Sequence, residues 1–280
     1  MSNNWPAGRT YEMHGFKVQL SAPVLVGRSA GYLWFPTLAR LDGRALMATM
    51  NDYADAHVAE STAEIAFSED DGLTWSSAGA HPYGDICVTL DNDDRIILPY
   101  YLRPREGGMG APCTRLRKGS RALEKIDPGV TVTGWPRGNK VLENGACGFV
   151  FNGQSVRLQD GSHLATLYGT FEGDDKYTLV AAVSRDALNW NILTIVAGPE
   201  YRFNGWEGPC ESALCRLRDG RLFIMYRVGS TWSYGATWSS DEGRTWSTPR
   251  DMVTTFSVQP GLAVLPDGML VLAGGRPGPH

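Results

Sequence analysis

The sequence predicts an all-β fold: a propeller of four-stranded antiparallel blades forming one domain over residues 1–280. Two repeats and a composition predict it. The stretch Ser68-Glu-Asp70-Asp-Gly72-Leu-Thr74-Trp75 returns as Ser239-Ser-Asp241-Glu-Gly243-Arg-Thr245-Trp246, and both read S-x-D-x-G-x-T-W. An Asp-Gly pair between apolar runs recurs at Asp42-Gly43, Asp160-Gly161, Asp219-Gly220 and Asp267-Gly268, with a degenerate copy at Asp91-Asn-Asp-Asp94. The spacing is roughly 50–65 residues, the length of one blade. The chain also carries 33 Gly, 9 Trp and 11 Tyr, which suits a turn-rich fold with aromatic surfaces.

Each element follows from local chemistry. Asp-Gly between alternating hydrophobic runs is a hairpin signal, because Gly supplies the positive φ of a tight turn. In the longer repeat, Asp folds its carboxylate back onto backbone N–H groups, Ser and Thr add local hydrogen bonds, and Trp packs between strands. Asp70 and Asp241 therefore make turns, not chemistry. One unit is strand, Asp-Gly turn, strand, loop, strand, longer turn, strand.

Blade one is expected from Pro36 to Ser77 and blade two from Asp85 to about Val132. Blade three runs from Phe149 to Ile195, with a decayed turn at Ser184-Arg-Asp186-Ala-Leu-Asn-Trp190. Blade four runs from Cys210 to Pro249, and a partial fifth begins at Gly261. The alternating segment Phe16-Lys-Val-Gln-Leu20 is expected to close the ring as the outer strand of the last blade.

Bulk properties exclude several functions. The net charge is −4 with 20% charged residues, so nothing favours nucleic acid or an anionic membrane. The apolar runs are too short to span a bilayer as helices. No signal peptide is visible at the N-terminus, which fits a cytoplasmic protein or a secreted one whose leader is removed. Five cysteines without metal spacing read as reduced and buried. No metal or cofactor is called for.

If both turn types lie on one face, the other face collects the remaining loops. Those loops carry Trp34, Asp55, His57, Tyr100, Tyr101, Gln154, Tyr168, Trp206, Glu207, Glu211, Arg227, Tyr234 and Arg276. Carboxylates, arginines and aromatic rings converging on one funnel suit a polar, ring-shaped ligand such as a sugar. Trp and Tyr offer flat apolar faces, and Arg offers a fork for a carboxylate.

The repeated S-x-D-x-G-x-T-W turns, with the blade pattern, resemble the Asp-boxes (BNR repeats) of the sialidase (neuraminidase) superfamily, six-bladed propellers. The resemblance covers roughly Tyr32 to Pro277. The stretch Cys210-Glu211 through Tyr226-Arg227 is similar to the sialidase segment in which an active-site Glu precedes an inner strand and a substrate-binding Arg follows sixteen residues on. Asp55-Ala-His57-Val-Ala-Glu60 resembles the loop of the acid/base Asp. Asn152-Gly-Gln154 through Tyr168 resembles the third-blade segment of the pocket.

The resemblance implies an exo-glycoside hydrolase acting on a terminal acidic sugar. Asp55 and Glu211 would be catalytic; Arg227, Arg276, Trp34, His57, Gln154 and Tyr168 would bind substrate. Two departures limit it. Trp34 stands where the family has the Arg of an Arg-x-Pro element, and the nucleophilic Tyr has no counterpart. The sequence ends about a blade and a half short of the family pattern. Two alternatives therefore stand beside it: a hydrolase or lyase of uronic-acid glycans working through His57, and a glycan-binding propeller without catalysis.

Overall fold

The computed structural model describes residues 8–13, 15–52, 62–82, 84–253 and 258–275. Among them a single 3-10 turn, Pro199–Arg202, interrupts the strands. A hairpin of β1 (Thr10–Met13) and β2 (Phe16–Gln19) comes first. Blade one is β3 (Trp34–Arg40), β4 (Leu46–Asn51), β5 (Thr62–Ser68) and β6 (Ser76–Pro82), paired in that order. Blade two holds β7 (Gly84–Thr89), β8 (Arg95–Pro99), the short β9 (Arg103–Arg105), β10 (Gly108–Leu116) and β11 (Leu123–Thr133). Blade three holds β12 (Phe149–Phe151), β13 (Val156–Arg157), β14 (His163–Gly169), β15 (Thr178–Ser184) and β16 (Asn189–Ala197). Blade four is β17 (Cys210–Arg216), β18 (Leu222–Arg227), β19 (Gly235–Ser239) and β20 (Arg250–Asp251). The fifth unit shows β21 (Gly261–Val264) and β22 (Leu270–Ala273).

The two turn repeats form as expected. The Asp-Gly turns share one bond: the N–H of Leu41, Leu90, Leu158, Leu217 and Leu265 each reaches the carbonyl four residues on. Gly43, Gly161, Gly220 and Gly268 have positive φ, and Asp93 adopts φ 63° where the degenerate copy lacks Gly. In the longer turn, Asp70 Oδ1 accepts from Thr74 N at 2.8 Å and Oδ2 from the Thr74 hydroxyl at 2.7 Å. Asp241 takes the same bonds from Thr245 at 2.9 and 2.6 Å. Trp75 and Trp246 each donate Nε1–H to the carbonyl of the turn glycine. The decayed copy keeps this plan, with Asn189 in place of Thr and Trp190 donating to Ala187 O.

Apolar cores fill the wedges between neighbouring blades. Met47, Ile65 and Phe67 meet Ile97 and Leu116 between blades one and two. Ile86, Leu98, Phe149, Phe151 and Trp190 fill the next wedge, and Leu164, Leu179, Leu214 and Ile224 the one after. Phe223, Met225 and Leu262 join blade four to the fifth unit. All five cysteines are free; Cys87 is half-buried and the others are buried.

Two features depart from the sequence reading. Phe16–Gln19 does not pair with the last blade; its partner is Thr10–Met13, in a sheet of its own. Gly15, at φ 85°, reverses the chain there, and a hairpin closes a far shorter loop than ring closure would. Blades two and three are also not separate sheets. The outer strands β11 and β16 pair in parallel at Thr131–Asn189, Val132–Trp190 and Thr133–Asn191, giving one ten-stranded sheet.

Candidate active site

With both turn types on one face, the ends of β8, β14 and β18 and the starts of β12 and β17 gather on the other. They enclose a cavity of about 440 Å³. Its walls include Phe35, Tyr100, Tyr101, Tyr168, Tyr177 and Trp206, and its polar groups include Glu207, Glu211 and Arg227.

Glu211 reaches the cavity through a bulge. Cys210 pairs with Arg227 and Ser212 pairs with Tyr226, which leaves Glu211 as the extra residue of β17. A bulge re-aims the side chain it carries, and here it turns a carboxylate from a buried strand toward the pocket. Glu211 Oε1 accepts from Arg227 Nη1 at 2.7 Å, and Oε2 accepts from the Gln259 backbone N–H at 2.9 Å.

Arg227, the last residue of β18, has a second acidic partner. Its Nη2 donates to Glu207 Oε1 at 2.7 Å and to Ser230 Oγ at 2.9 Å. The side chains of all three charged residues are 12% exposed. Burial works against the Arg227 charge, but Glu211 and Glu207 outweigh it and raise the pKa above the ordinary arginine value. Glu207 is placed by Gly208, whose φ is 95° and where a Cβ would meet Tyr177 N and O at 2.7 Å. That close approach lets Glu207 O accept from Tyr177 N–H at 2.9 Å.

The tyrosines form a connected wall. The hydroxyls of Tyr100 and Tyr168 are 3.0 Å apart, and the Tyr168 ring meets Tyr177 edge-on at 5.3 Å. Burial, with the neighbouring Tyr100 and Glu211, pushes the Tyr168 phenol well up. Burial and Cys210 push Tyr177 up as well. Both phenols are thus set as hydrogen-bonding groups rather than as ready phenolates. Cys210 lies at the base, its Sγ 3.7 Å from Glu207 Oε2, and burial and Glu211 raise its thiol well above the ordinary value.

The cavity thus gathers Glu211, Arg227 and Tyr168 from the residues singled out in the sequence. Trp34 stands elsewhere: the residue is 41% exposed and its ring packs on Tyr32 and Phe35. A bulge between Trp34 and Thr37 shifts the alternation, and Phe35, at φ 48°, takes the place at the wall. Gln154 lines a separate cavity of about 640 Å³ among the inner strands and donates to Leu262 O at 3.3 Å. Asp55, His57 and Arg276 lie outside the described residues. Glu207, Tyr177 and Phe35 carry more of the site than the sequence reading gave them. The short Glu207-Gly-Pro-Cys-Glu211 spacing was the signal for the first. Among the described residues, no group of His, Cys, Asp and Glu is placed to hold a metal ion, and no helix is long and apolar enough to cross a membrane.

No protein-family model matches the chain, and no curated protein matches it by sequence. Solved structures do. A protein of unknown function from Dyadobacter fermentans superposes with a TM-score of 0.65 at 16% identity, over 89% of this chain and 77% of that one. The Trypanosoma rangeli sialidase gives 0.58 at 14% identity, over 93% of this chain and 44% of the sialidase. The chain has a sialidase-like β-propeller fold. The same architecture extends to other glycosidases: the GH93 α-L-arabinofuranosidase of Fusarium graminearum matches with a TM-score of 0.61 at 13% identity, over 88% and 77% of the two chains. The chain spans less than half the length of the sialidase that it matches.

Proposed function

We propose that this protein is a glycoside hydrolase that removes a terminal sugar from a glycan. The observation that carries this reading is the pair Glu207 and Glu211, held on the two arms of one buried guanidinium beneath an aromatic-walled pocket. Glycosidic cleavage passes through an oxocarbenium-like state, which needs nearby negative charge and a proton donor to the leaving oxygen. Two carboxylates against one guanidinium supply the negative charge.

The two are not equivalent. Glu211 is bound at both oxygens, by Arg227 and by the Gln259 N–H, and is fixed as the charge that faces the anomeric carbon. Glu207 has one oxygen on Arg227 and the other 3.7 Å from the Cys210 thiol. Its second oxygen is the freer one, and Glu207, ionised against Arg227, serves as the base that takes a proton from the attacking water. Asp55, the acid/base that the sialidase resemblance implies, is the candidate proton donor to the leaving oxygen. The neighbours named above that are sialidases or arabinofuranosidases support a carbohydrate substrate. An acidic terminal sugar, as the sialidase resemblance implies, would require Arg227 to reach the substrate past both glutamates.

A panel of 4-methylumbelliferyl and p-nitrophenyl glycosides tests the reading. Turnover of at least one substrate is expected, with losses of roughly 10²–10⁴ in Glu211→Gln and Glu207→Gln and an unchanged thermal unfolding curve. Full activity in both variants would sink it. Sugar binding with no turnover anywhere in the panel would leave a lectin-like propeller instead.

A further inference from the structure

We infer that the pocket selects an uncharged sugar and rejects one that bears a carboxylate at the floor. The inference rests on the glycan-site reading above and concerns the class of sugar that site takes.

The charge count at the floor carries it. Glu207, Arg227 and Glu211 form a closed ion triad, with contacts of 2.7 Å on each side of the guanidinium. The triad has one negative charge in excess. Its side chains are 12% exposed, so solvent and salt screen that charge poorly until the mouth is reached. Both terminal nitrogens of Arg227 are engaged, one of them also with Ser230, and its Nε is buried away from solvent without a partner. The Gln259 N–H is already used by Glu211. Arg227 has one terminal N–H left, on Nη1, so a substrate carboxylate could gain at most a single bond there, and a two-pronged clamp would require releasing a glutamate and leaving that charge buried and unpaired.

The walls agree with the floor. Tyr100, Tyr101, Tyr168, Tyr177 and Trp206 present apolar ring faces with hydroxyl or N–H edges, which suits hydroxyl-bearing rings without charge. The cations of this cavity are at its mouth. Lys140 is exposed, and Lys176 Nζ lies 3.5 Å from the carboxylate of Asp175.

The test is a binding titration of the intact protein, followed by the fluorescence of Trp206 and its neighbours, with matched pairs of methyl glycosides. The pairs are galactoside and galacturonoside, glucoside and glucuronoside, and N-acetylneuraminate as its methyl ester and as its free acid. Each pair shares a ring and differs in charge. In every pair that binds, the uncharged member is expected to bind roughly tenfold tighter or more. That preference should change little as salt is raised, because the triad is shielded from it, and should shrink in Glu207→Gln, where the triad becomes neutral. Equal or tighter binding of the acid in any pair overturns the inference and leaves the glycan site standing. A preference that ignores Glu207→Gln also overturns it, because shape and not charge would then be selecting. If no pair binds, the glycan-site reading falls and takes this inference with it.

Discussion

The two faces of this propeller are built by opposite rules. On the turn face the groups of each repeated turn find their partners within a few residues. Ser239 Oγ accepts from Gly243 N, and Asp241 bonds Thr245. The same bonds recur at Ser68, Asp70, Gly72 and Thr74. On the pocket face partners come from far along the chain. Glu211 bonds residues 227 and 259, and Tyr168 meets Tyr100. Local bonds repeat with the blade and hold it together. Distant bonds occur once and place reactive groups. A perturbation of the first face should therefore change stability alone, and one of the second should change ligand chemistry alone.

The largest test of that division is Glu211→Gln. Activity on the best glycoside should fall by roughly 10²–10⁴, while the melting temperature stays close to wild type. The mirror experiment is Gly243→Ala. A Cβ there would lie 2.3 Å from Leu164 Cδ1 at φ 83°, inside a packed wedge. We expect a loss of about 1–3 kcal/mol in denaturant unfolding, with the KM of the folded fraction unchanged. Gly72→Ala should cost less, because its nearest neighbour would be 3.4 Å away. Next in size is Trp206→Ala. The residue is 61% exposed and lines the pocket, so sugar affinity should drop about tenfold, or ~1.4 kcal/mol, without a change in melting.

The smallest effect is a pH dependence. The Thr74 hydroxyl and then the Thr74 N–H hold the Asp70 carboxyl down to about 2. A depressed carboxyl stabilises the fold above its unfolded value near 4, and the contribution is lost as pH falls toward 2. Asp70→Asn should flatten that acid limb of the melting profile and leave the profile near neutrality parallel to wild type. Each of these outcomes sharpens the contrast between faces; a turn-face variant that changed substrate preference would break it.

The same contrast explains what the sequence showed. The turns were legible because Asp, Gly, Thr and Trp act within one short window, as at Asp70 and Asp241. The Glu211–Arg227 pair was legible through the sialidase resemblance, whose segment carries a Glu and an Arg at the same sixteen-residue spacing. Glu207 appeared in the sequence only as a face residue. Its role depends on Gly208 docking against Tyr177, a contact between separate loops that no local pattern encodes. Trp34 was singled out because it stands where the family has the Arg of its Arg-x-Pro element; the bulge before Thr37, which no residue type announces, places Phe35 at the wall. The hairpin at Phe16–Gln19 shows the limit of alternation, which marks a strand but not its partner.

The parallel seam between β11 and β16 has a consequence for how the pocket is held together. Tyr100, Tyr101, Tyr168 and Tyr177 all stand on, or directly beside, the ten-stranded sheet that this seam creates. Glu207, Glu211 and Arg227 belong to the separate sheet of blade four and the loop that leads into it. The pocket is thus a joint between two cooperative units, one supplying the aromatic wall and the other the charges. Amide hydrogen exchange should show β8, β14 and β15 slowing together as one foldon, with β17 and β18 exchanging on a clock of their own. A bound sugar would bridge the two units, and the two clocks would then run as one.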